Sequence, residues 1–247
     1  MKFFLYKESN FNFIYFKIKA KLKITYLGHA CFLIEVGNAN LLFDPFISPN
    51  PLAKDIDVNT IKADYILVSH GHEDHVADVA TIANNNQDIT LVSNYEIVSW
   101  FEKQNISGHP MNYGGNKTFD FGKVKYVNAV HSSVLPDGSY GGNPGGFVIE
   151  TANESFYYAG DTALTYDMKL LSEFHQLDVA FLPIGDNFTM GVDDAVIAAE
   201  FITCDKIVGM HYDTFGYIEI DKDSAKNKFA EKGKELILLD IAQTISI

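Results

Sequence analysis

Hydrophobic and polar positions divide the chain into short apolar runs, separated by stretches in which apolar residues recur every three or four positions. Short runs rich in β-branched and aromatic residues are typical of strands, and the longer spacing is typical of helices. Their alternation along the chain predicts one α/β domain. The predicted strands are 23–27, 31–36, 40–43, 65–69, 89–92, 123–130, 146–150, 156–159, 179–182, 206–210 and 235–239, and the predicted helices are 76–84, 95–103, 167–174, 193–202 and 222–232.

Residues 1–22 differ from the rest and are predicted to extend a single domain that spans 23–247. Six lysines and one acid, Glu8, give the first 23 residues a net charge of +5, which leaves −18 for the remainder. The apolar stretch 3–6 is too short for a signal peptide, and no small-residue cleavage site follows it. Residues 11–19 alternate well enough for an edge strand, and the alternative is a poorly ordered extension.

Composition narrows the classes of function. Of the 247 residues, 47% are hydrophobic and 21% are charged, which provides for a substantial core. All 19 basic residues are lysines, so no guanidinium group can grip a phosphate or carboxylate. The net charge of −13 argues against a nucleic-acid partner. No apolar run reaches the roughly 18 residues of a membrane span, and Cys31 and Cys204 cannot form a disulfide framework, so we expect a cytoplasmic protein without a membrane partner.

The candidate chemistry concentrates in SHGHEDHV at 69–76, directly after the apolar run 65–68. His70, His72, Asp74 and His75 are predicted to project from a loop between a strand and a helix. Such a loop can aim several side chains at one point, and nitrogen and carboxylate ligands at about 2.0–2.2 Å are what a zinc-type ion prefers. Three of the eight histidines lie within six positions here, and packing gives no reason for such a cluster. The alternative is a solvated polar loop.

The pattern HxHxDH after a hydrophobic strand resembles the signature of the metallo-β-lactamase superfamily. The resemblance implies an α/β fold of the αββα sandwich type, in which two mixed sheets are flanked by helices. The superfamily pattern has three further ligands, and each has a match at the end of a predicted strand. These matches are His131 after 123–130, Asp161 after 156–159 and His211 after 206–210.

Carried over residue by residue, the resemblance implies a centre of two divalent metal ions. The implied ligands of the first ion are His70, His72 and His131. Those of the second ion are Asp74, His75 and His211, and Asp161 is the implied bridge between the two ions. A bound metal lowers the pKa of water from about 15.7 toward 7, so a bridging hydroxide is the implied nucleophile. Asp74 is the implied catalytic residue, which orients the hydroxide and shuttles its proton. Zinc is the expected metal, although manganese, iron and nickel accept the same ligands.

Longer phrases narrow the resemblance further. The chain also resembles a group of small metal-dependent hydrolases similar to L-ascorbate-6-phosphate lactonase. The phrases that carry this resemblance are YLGHACFLIE at 26–35 with LLFDPF at 41–46, GGNPGGFVIE at 141–150 and LPIGDNFTMGVDDA at 182–195. The implied function is hydrolysis of an ester-like bond (lactone, phosphoester or thioester) in a small-molecule substrate that could be anionic. The alternatives are a phosphodiesterase or nuclease with the same centre and a non-catalytic metal-binding protein of the same fold. A homo-oligomer is left open.

Five other polar residues are candidates for the surroundings of the centre. His29 could reach the centre or bond a nearby loop, and Asp44 could accept a proton from a liganding imidazole and fix its tautomer. The remaining three, which could line the substrate cleft or cap a turn, are Asp186, Asn187 and Thr189. His109 and His175 are expected in solvent, and Trp100 is expected in packing.

Overall fold

A computed structural model describes residues 22–247. The predicted edge strand at 11–19, and with it nearly all of the predicted extension, lies outside the described residues. Leu22, the last residue of that extension, is buried in the core, and its carbonyl accepts a hydrogen bond from the Ile247 amide.

The first of two seven-stranded sheets has the order β14-β1-β2-β3-β4-β5-β6. Strands β14, β1, β2 and β3 pair antiparallel, and β3 to β6 run parallel. The strands are β1 (Lys23–Gly28), β2 (Cys31–Val36), β3 (Ala39–Phe43), β4 (Tyr65–Leu67), β5 (Thr90–Asn94), β6 (Gly108–Met111) and β14 (Thr244–Ser246).

The second sheet has the order β13-β12-β11-β10-β9-β8-β7. Strands β7 to β10 pair antiparallel, and β10 to β13 run parallel, so both sheets are mixed. The strands are β7 (Asn116–Phe119), β8 (Gly122–Asn128), β9 (Gly145–Glu150), β10 (Ser155–Tyr158), β11 (Val179–Pro183), β12 (Lys206–Met210) and β13 (Glu235–Ile237).

Helices cover the outer face of each sheet. Residues of α2 and α3 share one buried cluster with β3, β4 and β5, and residues of α4, α5 and α6 pack with the second sheet. Within the described part of the chain the longest helix, α5, has 10 residues, and none combines the length and apolar character that a bilayer crossing requires. The helices are α1 (Glu73–Val76), α2 (Val79–Asn85), α3 (Tyr95–Glu102), α4 (Met168–Phe174), α5 (Val192–Phe201) and α6 (Lys222–Ala230).

The main core lies between the two sheets because alternate residues of a strand point to opposite faces. On β3, Phe43 points inward to the second sheet, whereas Leu42 belongs to the cluster under α2 and α3. The ring of Phe43 lies 4.6 Å from that of Tyr158, and Phe32 lies 4.9 Å from Phe181. The αββα sandwich implied by the sequence is therefore confirmed.

The structure differs from the predicted elements mainly at the edges of the sheets. Strands β6, β7 and β14 were not predicted, since β6 contains a glycine and a proline and the other two are polar edge strands. The helix predicted over 76–84 begins only at Val79, because the carboxylate of Asp78 accepts the amides of Ile47 and Ser48, and the short helix α1 before it was not predicted. The helix predicted over 193–202 is α5, with Gly191 as its N-cap and with Asp193 and Asp194 in its first turn.

Candidate metal centre

The HxHxDH segment lies in a loop that several hydrogen bonds hold in place. The loop leaves β4 at its carboxyl end and carries His70 and His72, and α1 follows with Asp74 and His75. The Ser69 carbonyl accepts from the Gly145 amide at 3.0 Å and from the Tyr126 hydroxyl at 2.9 Å. These contacts tie the loop to the second sheet, so its imidazoles are aimed across the gap between the sheets.

The other three candidate ligands come from the second sheet. Asp161 follows β10, His131 follows β8 and His211 follows β12. Since these three strands run in the same direction, their carboxyl ends meet at one edge. His211 adopts a left-handed backbone with φ of 56°, and its amide donates to the His29 carbonyl at 3.0 Å. All seven residues that the resemblance implied are therefore close together.

His70, His72 and His131 form one group of nitrogen donors. Each offers a ring nitrogen within 4.8 Å of the others. His70 Nε2 lies 2.9 Å from His72 Nδ1, and the His131 ring lies 5.0 Å from that of His70. His70 is fully buried, and burial, aided by the neighbouring His75, lowers its pKa well below the usual value, which keeps its imidazole neutral.

Asp74, His75 and His211 form a second group, joined by His29. One ligand atom from each of the four lies within 4.8 Å of the others. Asp74 Oδ2 is 3.7 Å from His211 Nε2 and 3.8 Å from His75 Nε2. These distances suit side chains that could share one cation.

The carboxylate of Asp161 lies between the two groups. Its Oδ2 atom is 2.9 Å from His211 Nε2 and 3.3 Å from His75 Nε2. The same atom is 3.6 Å from His131 Nε2 and 3.9 Å from His70 Nε2. One oxygen thus faces ligand nitrogens of both groups, as a bridging ligand must.

Electrostatics and unpaired polar atoms indicate that this cluster suits cations. Among residues 22–247, His75 Nε2 and Asp161 Oδ1 are buried without a hydrogen-bond partner, which is costly unless another group satisfies them. Burial opposes a charged His211, yet the carboxylates of Asp161 and Asp74 raise its pKa to about 9. Burial likewise opposes charge on His75, and Asp161, Asp74 and Asp44 nevertheless raise its pKa well above the usual value. Histidine and carboxylate together are ligands of zinc and similar divalent ions.

A buried network behind the cluster connects the two groups. Asp44 Oδ2 accepts from His75 Nδ1 at 2.8 Å and from the Ser69 hydroxyl at 2.6 Å. The Ser69 oxygen lies 3.0 Å from His70 Nδ1, and the Tyr158 hydroxyl donates to Asp44 Oδ2 at 2.8 Å. Because a carboxylate only accepts, His75 donates to Asp44 from Nδ1, and Nε2 is the nitrogen that faces the site. Asp44 makes the contact expected from the sequence, whereas Ser69 and Tyr158 were not predicted, since nothing in their local sequence marks them.

His29 contacts both the cluster, through Asp74, and a nearby loop, through Thr214. Its Nε2 atom is 3.1 Å from Asp74 Oδ2, its Nδ1 atom is 2.9 Å from the Thr214 hydroxyl, and its ring lies 4.1 Å from that of His211. Burial, together with the nearby His211, lowers the pKa of His29 to about 4. A neutral His29 protonated on Nε2 donates to Asp74 and accepts from Thr214.

A cavity of about 280 Å³ opens in front of both groups. Besides five of the candidate ligands, Ser132, Phe188 and Phe215 line it. Asp186, Asn187 and Thr189 do not belong to its lining; they form the turn that carries Phe188, with the Asn187 amide donating to the Asp186 carboxylate at 2.7 Å. The two phenylalanines escaped prediction because an isolated aromatic residue in a loop carries no local signal of its role.

The surroundings of three side chains outside the cluster, His175, His109 and Trp100, were also predicted from the sequence. His175 was wrongly expected in solvent, since its side chain is only 8% exposed and lies 2.8 Å from Glu150 Oε1. His109 is half-buried on β6, with its ring 5.6 Å from that of Phe119. Trp100 packs against Phe101 as expected, and its indole N–H donates to Asp137.

Comparison with known proteins identifies the class. Residues 23–211 match the model of the beta-lactamase superfamily domain. A UPF0173 metal-dependent hydrolase of Flavobacterium johnsoniae is 59% identical over 92% of this chain and 100% of its own length, and one of Methylacidiphilum infernorum is 52% identical over 91% and 99%. The structure of Igni18, a novel metallo hydrolase from the archaeon Ignicoccus hospitalis, matches with a TM-score of 0.83 at 30% identity, covering 92% of this chain and 99% of that one.

The chain therefore belongs to the beta-lactamase superfamily and, within it, to the UPF0173 metal-dependent hydrolases, and it is an enzyme of that hydrolase class. The superfamily resemblance drawn from HxHxDH is confirmed. The narrower likeness to L-ascorbate-6-phosphate lactonase stays a prediction.

Proposed function

We propose that the protein hydrolyses an ester-like bond of a small molecule at a centre of two divalent metal ions, with zinc as the first candidate. The position of Asp161 Oδ2, within 3.9 Å of ligand nitrogens in both groups, is the observation that carries the proposal. The proposed ligands of the first ion are His70, His72 and His131. Those of the second ion are Asp74, His75 and His211, and Asp161 is the proposed bridge between the two ions.

Such ions would supply a hydroxide at neutral pH and stabilise negative charge on the substrate oxygen. The side chains set the charge of the site, because the only carboxylates among its proposed ligands are Asp74 and Asp161. Two divalent ions would bring four positive charges, and the two carboxylates with one hydroxide would bring three negative ones, so the centre would keep a net positive charge that favours an anionic transition state. Asp44 and Ser69 hold His75 and His70 from behind, so both imidazoles keep their orientation.

Asp74 is the residue to which we assign proton transfer. Asp74 and Asp161 both line the cavity, but the side chain of Asp74 is 26% exposed, whereas that of Asp161 is 2% exposed and that of Asp44 is fully buried. A group that exchanges a proton with substrate must reach the cavity, and of these three carboxylates Asp74 has the greatest access. His29 orients it by donating to Oδ2.

The test pairs metal analysis with a hydrolysis screen. Protein purified without chelators is analysed for metal content and assayed on lactones, phosphodiesters, carboxylic esters and thioesters, with and without a chelator. We expect close to two ions per chain and hydrolysis of at least one class that the chelator abolishes. Hydrolysis of phosphodiesters alone would favour the phosphodiesterase alternative, and stoichiometric metal without any turnover would favour the binding protein.

Variants locate the centre. We expect His70→Ala and His211→Ala to lose metal and at least about 10³-fold in activity, because each removes a proposed ligand. His109→Ala is the matched control, since this imidazole lies on β6 outside the cluster. Wild-type metal content in both ligand variants would contradict the assignment.

A further inference from the structure

Two phenylalanine rings stand at the mouth of the cavity in front of the metal cluster. Phe188 is 52% exposed and Phe215 is 37% exposed, and both line the cavity together with Ser132. The Phe215 ring also contacts deeper rings, since it lies 5.4 Å from the ring of His29 and 6.3 Å from that of Phe46. The apolar surface therefore extends from the solvent to the edge of the proposed reaction centre.

The turn that carries Phe188 has a left-handed backbone at two neighbouring positions. Asp186 and Asn187 have φ of 64° and 57°, a conformation that Asp and Asn adopt more readily than other residues with a side chain. The Asp186 amide donates to the Met190 carbonyl at 3.0 Å, and the Met190 amide donates to the Thr162 carbonyl. These hydrogen bonds fix the backbone that presents the Phe188 ring to the cavity.

Phe215 is held by a second bonded loop. Its carbonyl accepts from the Ile218 amide at 3.0 Å, and the Asp213 amide donates to the Ile218 carbonyl at 2.8 Å. The Asp213 carboxylate accepts from the Ile220 amide and pairs with Lys222 at 2.9 Å. Both rings are thus presented by fixed backbone, as expected of a preformed binding surface.

The cavity offers neither a lysine nor an arginine to a ligand. Within residues 22–247 its lining includes no lysine, and the whole chain contains no arginine. Negative charge on a substrate could therefore be compensated at the proposed ions but not along the aromatic wall. An anionic group away from the scissile bond would lose its hydration there without gaining a partner.

Resting on the proposed function, we propose that Phe188 and Phe215 form an apolar subsite for an uncharged alkyl or aryl group next to the scissile bond. The substrate class is then a small hydrophobic ester or lactone. A substrate with a phosphate or carboxylate remote from the reacting bond is discriminated against. Phe188 and Phe215 are specificity-determining residues in this account, and neither holds metal.

Matched substrates test the charge preference. 4-Nitrophenyl butyrate and mono-4-nitrophenyl succinate share a leaving group and differ by a terminal methyl against a carboxylate. We expect chelator-sensitive kcat/KM to favour the butyrate by about tenfold or more, since an apolar pocket rejects an unpaired charge. Phe188→Ala and Phe215→Ala should each lower kcat/KM for the butyrate by about tenfold, mostly through KM, and leave metal content unchanged. Phe174→Ala is the control, because Phe174 is 76% exposed at the end of α4 and outside the cavity.

Binding of an uncharged probe tests the subsite without turnover. Benzamide binding to the metal-loaded protein is measured by saturation-transfer NMR, and we expect Phe188→Ala and Phe215→Ala to weaken it about fivefold or more while Phe174→Ala does not. The subsite proposal would be wrong if the succinate were hydrolysed as well as or better than the butyrate. It would also be wrong if neither Phe188→Ala nor Phe215→Ala weakened benzamide binding. Benzamide binding that needs both rings, in a protein without chelator-sensitive hydrolysis of any substrate class, would sustain the subsite while the proposed function fails.

Discussion

At the scale of single residues, Asp44 connects the two halves of the proposed centre. Its Oδ2 atom accepts a hydrogen bond from His75 Nδ1 and another from the Ser69 hydroxyl. The Ser69 oxygen in turn lies 3.0 Å from His70 Nδ1. Asp44 could be singled out from the sequence because it follows a predicted strand. The residues that bond to it could not be predicted in the same way. Those residues come from β10, from the loop after β4 and from α1, and their approach depends on the packing of the two sheets.

Asp44→Asn is expected to weaken metal binding by about 10-fold to 100-fold, as loss of an outer hydrogen-bond partner of a ligand does. The amide keeps the shape but has only one acceptor oxygen, so it cannot accept from both the Ser69 amide and His75 Nδ1 as Asp44 does. Metal affinity measured by competition with a fluorescent chelator checks this, with Asp205→Asn as the control because Asp205 is 82% exposed and pairs only with Lys234 in the described structure. Equal affinity of Asp44→Asn and the wild type would show that the network does not orient the ligands.

At the scale of elements, the break between α1 and α2 shapes the ligand segment. Asp78 Oδ2 accepts from the Ile47 amide at 2.6 Å and from the Ser48 amide at 2.8 Å, and Asp78 is 3% exposed. The apolar spacing after Val76 predicted one continuous helix, because no local pattern reveals that a carboxylate will bond a distant loop. Strand interiors such as Cys31–Val36 and Lys206–Met210 were predictable, since their apolar runs are unambiguous. Edge strands were not, because their pairing depends on the neighbouring strand.

Asp78→Ala is expected to lower the free energy of unfolding by about 1–3 kcal/mol, because the buried Ile47 amide loses its acceptor. Asp55→Ala, an exposed surface substitution, should change it by no more than about 0.5 kcal/mol. Urea unfolding followed by circular dichroism measures both. A loss of stability no larger than that of the control would contradict this reading of the helix break.

The contact between Glu150 and His175 gives the fold a measurable pH dependence. The hydrogen bond from His175 holds the pKa of Glu150 below its usual 4.5. Because that pKa is lower in the folded than in the unfolded chain, the contact stabilises the fold above pH 4.5 and is lost as the pH falls through the lowered value. Glu150→Gln should therefore be less stable than the wild type at neutral pH, and the gap should close in acid. Urea midpoints across the acid range test this, and a gap that widens in acid would contradict it.

At the scale of the whole molecule, the centre draws on both sheets. His70 and His75 follow a strand of the first sheet, whereas His131, Asp161 and His211 follow strands of the second. This meeting of sheets explains why the seven candidate ligands, predicted from sequence order and a family pattern, lie close together in the fold. The candidate ligands follow strand ends that a sequence pattern can locate, whereas Phe188 and Phe215 come together only when separate loops fold against one another.

Metal removal is expected to destabilise the assembled sandwich. Ions that bind only the folded chain add about 2.7 kcal/mol when the free ion is at one hundred times its Kd. Chelation should therefore lower the Tm of the wild type, and return of zinc should restore it. Asp161→Ala should reduce the shift, because it removes the proposed bridge, and a Tm indifferent to metal in the wild type would contradict a centre that links the sheets.

Anomalous diffraction from crystals of zinc-loaded protein is the sharpest test of the proposed centre of two metal ions. We expect two anomalous peaks about 3.5–4 Å apart. One should be bounded by His70, His72 and His131 and the other by Asp74, His75 and His211, with Asp161 between them. A single peak, or peaks remote from these side chains, would contradict it.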